Sequence, residues 1–247
     1  MANHARIQAE TALRARNLDR TLTTAVGVTA PAGEVAATGL EPLDACLLGG
    51  LPRGQLCELT GPRSSGRTAL LLQLLAAATA RGELAALVDP CDRLDAASAA
   101  AAGIDLDRLL WVRGHAADGS GPAACASLER AVERSLKALS LVLQAGGFGV
   151  VAWDVADVPA AALGRLPFTT WLRVQRAVEG RDTVCVLVAA EPLARSADGL
   201  TLTLAGRPRW EGRSVRRLDR MDVTARIVSP RRRVSGEVTV GVLAMCG

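Results

Sequence analysis

The sequence predicts an α/β protein with a mainly parallel central sheet flanked by helices and an antiparallel β extension at the C-terminal edge. Three observations predict it. Short apolar runs of strand length alternate with helix-length segments from Gln55 to Ala190, the order that builds parallel βα units. The runs "FGVVAWD" and "TVCVLVAA" are apolar without alternation, as strands covered on both faces are. Beyond Leu200 the character changes to "TLTLAG", "DVTARIV" and "EVTVGVL", strand-like segments joined by turns.

Residues 1–20 support a helix, but Ile7, Leu13 and Leu18 make no continuous stripe, so this helix needs a partner. Residues 21–37 are small and punctuated by Gly and Pro, a connector with room for one short strand. Then come the strand Gln55 to Thr60, the helix Thr68 to Ala80 stopped by Gly82, and the strand Leu84 to Asp89. A helix across Leu94 to Ala102 ends at Gly103 and precedes the strand Leu109 to Val112. In the long helix from about Ala123 to Gln144, Leu128, Val132, Leu136, Leu139 and Leu143 recur every three or four residues and set its inner face. The strand Phe148 to Asp154, the helix Phe168 to Val178 and the strand Thr183 to Ala190 complete the alternation. Three segments follow: an N-terminal helix and linker over 1–35, a core over 36–205, and a basic β extension over 206–247.

Several function classes are disfavoured. The longest apolar run, Ala69 to Ala80, carries Gln73 and falls short of the roughly 20 residues of a membrane span. The N-terminus lacks the apolar core of a secretory signal, so the expectation is a cytoplasmic protein. Six cysteines form no C-x-x-C pair, and neither His4 nor His115 stands beside a cysteine, so no metal site is expected. The net charge of +4 is uneven. From Gly206 to Arg233, ten arginines face Glu211, Asp219 and Asp222, so this segment is +7 and the remainder −3. Such a stretch is either a solvated strand face or a surface for an acidic partner or nucleic acid. Lys137 is the only lysine, so part of the arginine content is a chain-wide bias.

Residues 61–68 read "GPRSSGRT", a phosphate-binding loop with Arg67 where G-x-x-x-x-G-K-[ST] has lysine. A strand before it and a helix after it supply the context the motif needs. The wider segment Thr38 to Ala78, with "TGLEPLD", "GGLPRG" and "GPRSSGRT" in order, resembles the RecA family of recombinases. The likeness continues through "LVDPCDRLDA", "GIDLDRLLW" and the Walker B-like "VVAWD", and covers about residues 36–190.

The resemblance implies a RecA-like phosphate-loop fold with a nucleotide site at Gly61, Ser64, Ser65, Gly66, Arg67 and Thr68. It also implies a Walker B aspartate at Asp154, a catalytic-glutamate position at Cys91 and the nucleotide-sensing position at or near Glu191. Arginine delivers its charge as a bulky fork rather than a compact ammonium. A thiol is a poor acceptor and neutral near pH 7. Asp92 is adjacent to Cys91, but neighbouring side chains on an extended segment point in different directions. The expectation is loss of ATPase activity and no resident cofactor, weak binding of ATP and magnesium staying open. A bland structural role is also open, with Asp154 as a strand-end cap and the glycines as turn formers.

The short chain, the degenerate loop and the basic tail also resemble the ImuA family, accessory to damage-induced translesion synthesis. That resemblance implies an adaptor with the polymerase-like protein ImuB as partner, RecA as a further candidate, and self-association through residues 1–20. The same residues are compatible with a slow DNA-dependent ATPase and with a division inhibitor of the SulA type. A DNA-binding module remains open as well, with Arg207, Arg209, Arg213, Arg216, Arg217, Arg220, Arg226, Arg231, Arg232 and Arg233 on phosphates or on a protein partner.

Overall fold

The structure is a computed structural model that describes residues 35–114, 122–194, 200–212, 217–229 and 234–243. The expected helix over residues 1–20 lies outside them, as do Arg213, Arg216, Arg231, Arg232 and Arg233. Residues Ala32–Gly247 form one compact unit.

The elements in chain order are β1 (Val35–Ala36), α1 (Glu41–Cys46), β2 (Leu51–Pro52), β3 (Leu56–Thr60), α2 (Arg67–Ala80), β4 (Leu84–Asp89) and α3 (Ala96–Ala101). A 3₁₀ turn (Leu106–Arg108) leads to β5 (Leu109–Arg113), α4 (Pro122–Ala145), β6 (Phe148–Asp154), α5 (Ala160–Leu163) and α6 (Thr169–Val178). The strands β7 (Val184–Ala189), β8 (Leu200–Glu211), β9 (Arg217–Ser229) and β10 (Val234–Leu243) complete the chain.

Eight strands form one sheet in the order β10-β9-β8-β3-β7-β6-β4-β5. From β5 through β3 to β8 every neighbouring pair is parallel, and β8-β9-β10 is antiparallel. The expected fold class is therefore the observed one. Strand β8 is the joint between the two regimes, parallel to β3 on one side and antiparallel to β9 on the other. The expected boundary between residues 205 and 206 falls inside β8.

Strand alternation sorts the core into two layers. Cys57, Leu59, Ala85, Leu87, Val150, Ala152, Val186, Leu202 and Val223 point to the layer that holds α1, α2 and α3. Leu56, Ala86, Val88, Val151, Trp153, Cys185 and Leu187 point to the layer that holds α4, α5 and α6. In the second layer the buried Trp153 indole N–H donates to Ser135 Oγ at 2.9 Å, so the ring is buried without an orphan donor. No described helix is long and apolar enough to cross a membrane.

The "TGLEPLD" segment has a local explanation. Asp44 Oδ1 accepts from the Thr38 amide and the Thr38 hydroxyl, both at 2.8 Å, and Oδ2 accepts from the Gly39 amide at 3.2 Å. This carboxylate fastens the chain entering α1, whose Pro42 sits in the first turn, where a missing N–H costs nothing. In "GGLPRG" a side chain at Gly50, at φ 140, would run into the Ala36 backbone, so glycine allows β1 and β2 to pair.

The candidate nucleotide site

The "GPRSSGRT" loop leaves the end of β3 and enters α2 through Gly66 at φ 92. A side chain at Gly66 would overlap Val223 Cγ2, and one at Gly206 would overlap the Ser64 carbonyl. Gly61 sits against the Leu204 carbonyl, 2.5 Å from where its Cβ would stand. The loop is thus pressed by β8 and β9, the strands of the C-terminal extension. Its own Ser65 amide is turned to the Pro62 carbonyl at 3.2 Å.

Arg67 folds back into this loop. The side chain is buried, and Nη1 donates to the Gly61 carbonyl at 2.6 Å. The guanidinium thus ties the seventh residue of the loop back to the first. Ser65 is buried too, with Oγ lacking a partner among the described residues.

Beside the loop lies a cavity of about 270 Å³. Arg67 and Thr68 line it from the loop, Asp154 from the end of β6, Cys91 and Arg93 from the segment after β4, and Asp157 from the turn after β6. Leu71, Leu72, Leu87 and Leu94 give it an apolar wall. Four residues expected at the site, Arg67, Thr68, Cys91 and Asp154, therefore converge on one space, as their motif positions at the C-terminal ends of parallel strands require.

Burial pushes the Asp154 carboxyl up to about 6. Asp89 nearby adds to that rise, whereas the Ala156 amide, donating to Oδ1 at 3.0 Å, and the Arg67 guanidinium work against it. Burial likewise pushes the Cys91 thiol up to about 11, with the Asp89 charge contributing, so the position expected for a water-activating glutamate carries a neutral thiol.

Asp92 is engaged elsewhere: its two carboxylate oxygens accept from Arg113 Nε and Nη2 at 2.7 and 2.8 Å. Glu191 is exposed, just beyond the end of β7, and does not line the cavity.

Sequence reasoning missed Asp157, Arg93 and Asp89. Asp157 meets Arg93 at 3.3 Å and Arg63 at 3.5 Å beside the cavity. Asp89 Oδ2 accepts from the Arg93 and Leu94 amides at 2.6 and 2.9 Å and shapes the turn that carries Cys91. A strand-end aspartate followed by D-R-L was the available signal for it. Nothing in the residue spacing marked Asp157.

The arginines of the extension divide. Arg207, Arg209, Arg217, Arg220 and Arg226 are exposed on β8 and β9, with Arg209 directly across from Arg220. Asp222 sits between that pair, taking Arg209 Nε at 2.5 Å and Arg220 Nε at 3.4 Å, and these contacts hold its carboxyl below the usual range.

In this arrangement two of the loop's donors, Arg67 Nη1 and the Ser65 amide, are turned to carbonyls of the loop itself rather than to the space a phosphate tail would occupy. The Arg67 guanidinium is held by the Gly61 carbonyl and the Ser65 amide by the Pro62 carbonyl. Thr68 and Asp154 would still face a cation beside it, but among the described residues no group of His, Cys, Asp and Glu forms a metal cluster.

Sheet order, strand-loop-helix geometry and the strand-end carboxylates give the class: an α/β protein with an altered phosphate loop, consistent with a RecA-like fold. Comparison with known proteins bears on it directly. Residues 25–123 match the RecA N-terminal domain family. The chain is 47% identical to protein RecA of Symbiobacterium thermophilum over 78 residues, 31% of this chain and 22% of that protein. It is 46% identical to protein RecA of Synechocystis sp. over 77 residues, and 46% identical to that of Nostoc punctiforme over 77 residues. The match thus spans about a fifth of the length of these curated relatives, 22% and 21% in two cases.

Proposed function

We propose that this chain is a non-catalytic RecA-like adaptor of the ImuA kind, which holds a polymerase-like ImuB partner, and RecA, during damage-induced translesion DNA synthesis. One observation carries the reading: Arg67 closes the loop onto its own Gly61 carbonyl. Phosphoryl transfer depends on positioning and charge stabilisation around the terminal phosphate, and a guanidinium locked into the loop supplies neither. The neutral Cys91 thiol, where a water-orienting carboxylate is needed, points the same way. With that chemistry gone, the rigid sheet serves as a platform for protein partners.

A slow ATPase is the second reading, favoured by Thr68 and Asp154 still facing one cavity. Calorimetric titration with ATP and with a non-hydrolysable analogue, both with magnesium, separates the two. The adaptor reading expects no heat from the unaltered chain and binding gained in the Arg67→Lys, Cys91→Glu double variant. Magnesium-dependent hydrolysis by the unaltered chain, abolished by Asp154→Ala, would overturn it. Co-migration with an ImuB-type partner in gel filtration tests the second half of the proposal.

A further inference from the structure

The sheet ends in two edges of very different character. At one, β5 is five residues long, flanked by Arg108 and Arg113, with Arg113 tied to Asp92 and laid over the Trp111 ring at 4.3 Å from its centroid. Short length and flanking charge are the usual devices that keep an edge from pairing. At the other, β10 runs for ten residues and, among the described residues, pairs with β9 alone. Its register with β9 is continuous over ten pairs, with no bulge to twist it away. It holds no proline, lysine or arginine, and Glu237 is its single charge. Within the strand there is thus no proline, basic residue or bulge, although α1 packs against it and Pro230 with Arg231 to Arg233 precede it in the sequence.

We infer that β10 is a self-association edge, pairing antiparallel with β10 of a second copy of this chain about a two-fold axis at Thr239. The strand is self-complementary there. Val238-Thr239-Val240 reads the same in both directions, so each Val238 stands opposite Val240 of the copy. One step out, Glu237 stands opposite Gly241, and beyond that Gly236 stands opposite Val242, small against large at each place. No like charges face each other. Neither Gly236 nor Gly241 has an atom within 4 Å of where a Cβ would stand, so the opposing side chains have room. Thr239 already shares a 3.0 Å hydroxyl contact with Thr224, and the axis would set four hydroxyls in line across the junction. An isologous contact of this kind closes on itself as a dimer and joins two eight-stranded sheets into one. It does not depend on the phosphate loop, so it stands or falls separately from the adaptor reading.

Sedimentation of the full chain tests the pairing, with twice the 25.7 kDa chain mass expected at high concentration. Gly241→Glu places like charges opposite Glu237 twice by symmetry and should weaken the dimer roughly tenfold. Adding Glu237→Lys to that variant should restore the dimer, since this register alone puts the two positions face to face. Hydrogen exchange on the unaltered chain gives an independent reading, with β10 amides gaining protection as concentration rises. A chain that stays monomeric at every concentration, a Gly241→Glu dimer of unchanged strength, or β10 exchange indifferent to concentration would each overturn the inference.

Discussion

Asp154 carries the clearest single-residue consequence. Its carboxyl is raised from 3.8 to about 6, mainly by burial, so the folded chain holds this proton more tightly than the unfolded chain does. The stabilising contribution is present in full below the unfolded value and is lost as pH rises through about 6. At neutral pH the protein therefore maintains a carboxylate that its surroundings disfavour. Asp154→Asn should be more stable than the parent by roughly 1–2 kcal/mol near pH 7.5 and about equal to it near pH 4, the side chain being partly open to the cavity. Urea midpoints at the two pH values check this, and an equal gain at both would show that the proton is not the cause. The sequence singled out Asp154 by its place after "VVAW", and the structure puts it on the cavity, but its protonation depends on the depth of that cavity, which no local pattern encodes.

Among the elements, the junction between the phosphate loop and the β8–β9 strands decides the geometry of the site. Gly66 holds φ 92, a left-handed conformation that costs a residue with a Cβ about 1 kcal/mol or more, and Val223 leaves no room for that Cβ. Gly66→Ala should destabilise the fold by about 3 kcal/mol, and Val223→Ala in the same chain should return part of that loss. Denaturant unfolding of the singles and the double measures it. Full recovery would mean there is no backbone strain, and none would mean that Val223 does not press on the loop. Elements with a continuous apolar run, such as α2 and β6, or with a regular stripe, such as α4, were legible from the sequence within a residue or two. Some of the short ones were not. α1 and α5, of six and four residues, have too few turns for a periodic stripe, and β1 and β2 exist only because they pair with each other. The full lengths of β8 and β9 were also hidden, because their arginine-rich halves look like solvated loop until cross-strand partners such as Asp222 are in place.

For the molecule as a whole, one buried carboxylate joins distant parts of the chain. Glu58, in the middle of β3, accepts from the Leu193 and Ala194 amides at 2.8 and 2.9 Å through Oε1, and from the Thr201 hydroxyl at 3.3 Å through Oε2. It thus holds both Leu193–Ala194, after β7, and Thr201, at the start of β8. Glu58→Leu leaves those donors buried without an acceptor and should cost about 3 kcal/mol or more. Glu58→Gln keeps one acceptor oxygen and should cost distinctly less. Thermal unfolding of both variants ranks them, and equal losses would mean that the packing volume of the side chain, not its oxygens, holds these segments. A charged residue within "QLCELT" reads from sequence as a flaw in a core strand. Its purpose depends on residues more than a hundred positions away, beyond the reach of any local window.

The position of β3 between β7 and β8 also governs how the chain can be made. Both neighbours belong to the last third of the sequence, so while the ribosome works from Thr60 to Val184 the first strand of the main sheet has no partner. At about 5–20 residues per second that interval lasts roughly 6–25 s. Throughout it the leucine-rich α2 segment and a bare strand edge are exposed to every other nascent chain nearby. A chaperone that shields this stretch during synthesis, rather than one that rescues the finished protein, is the kind of assistance this topology calls for.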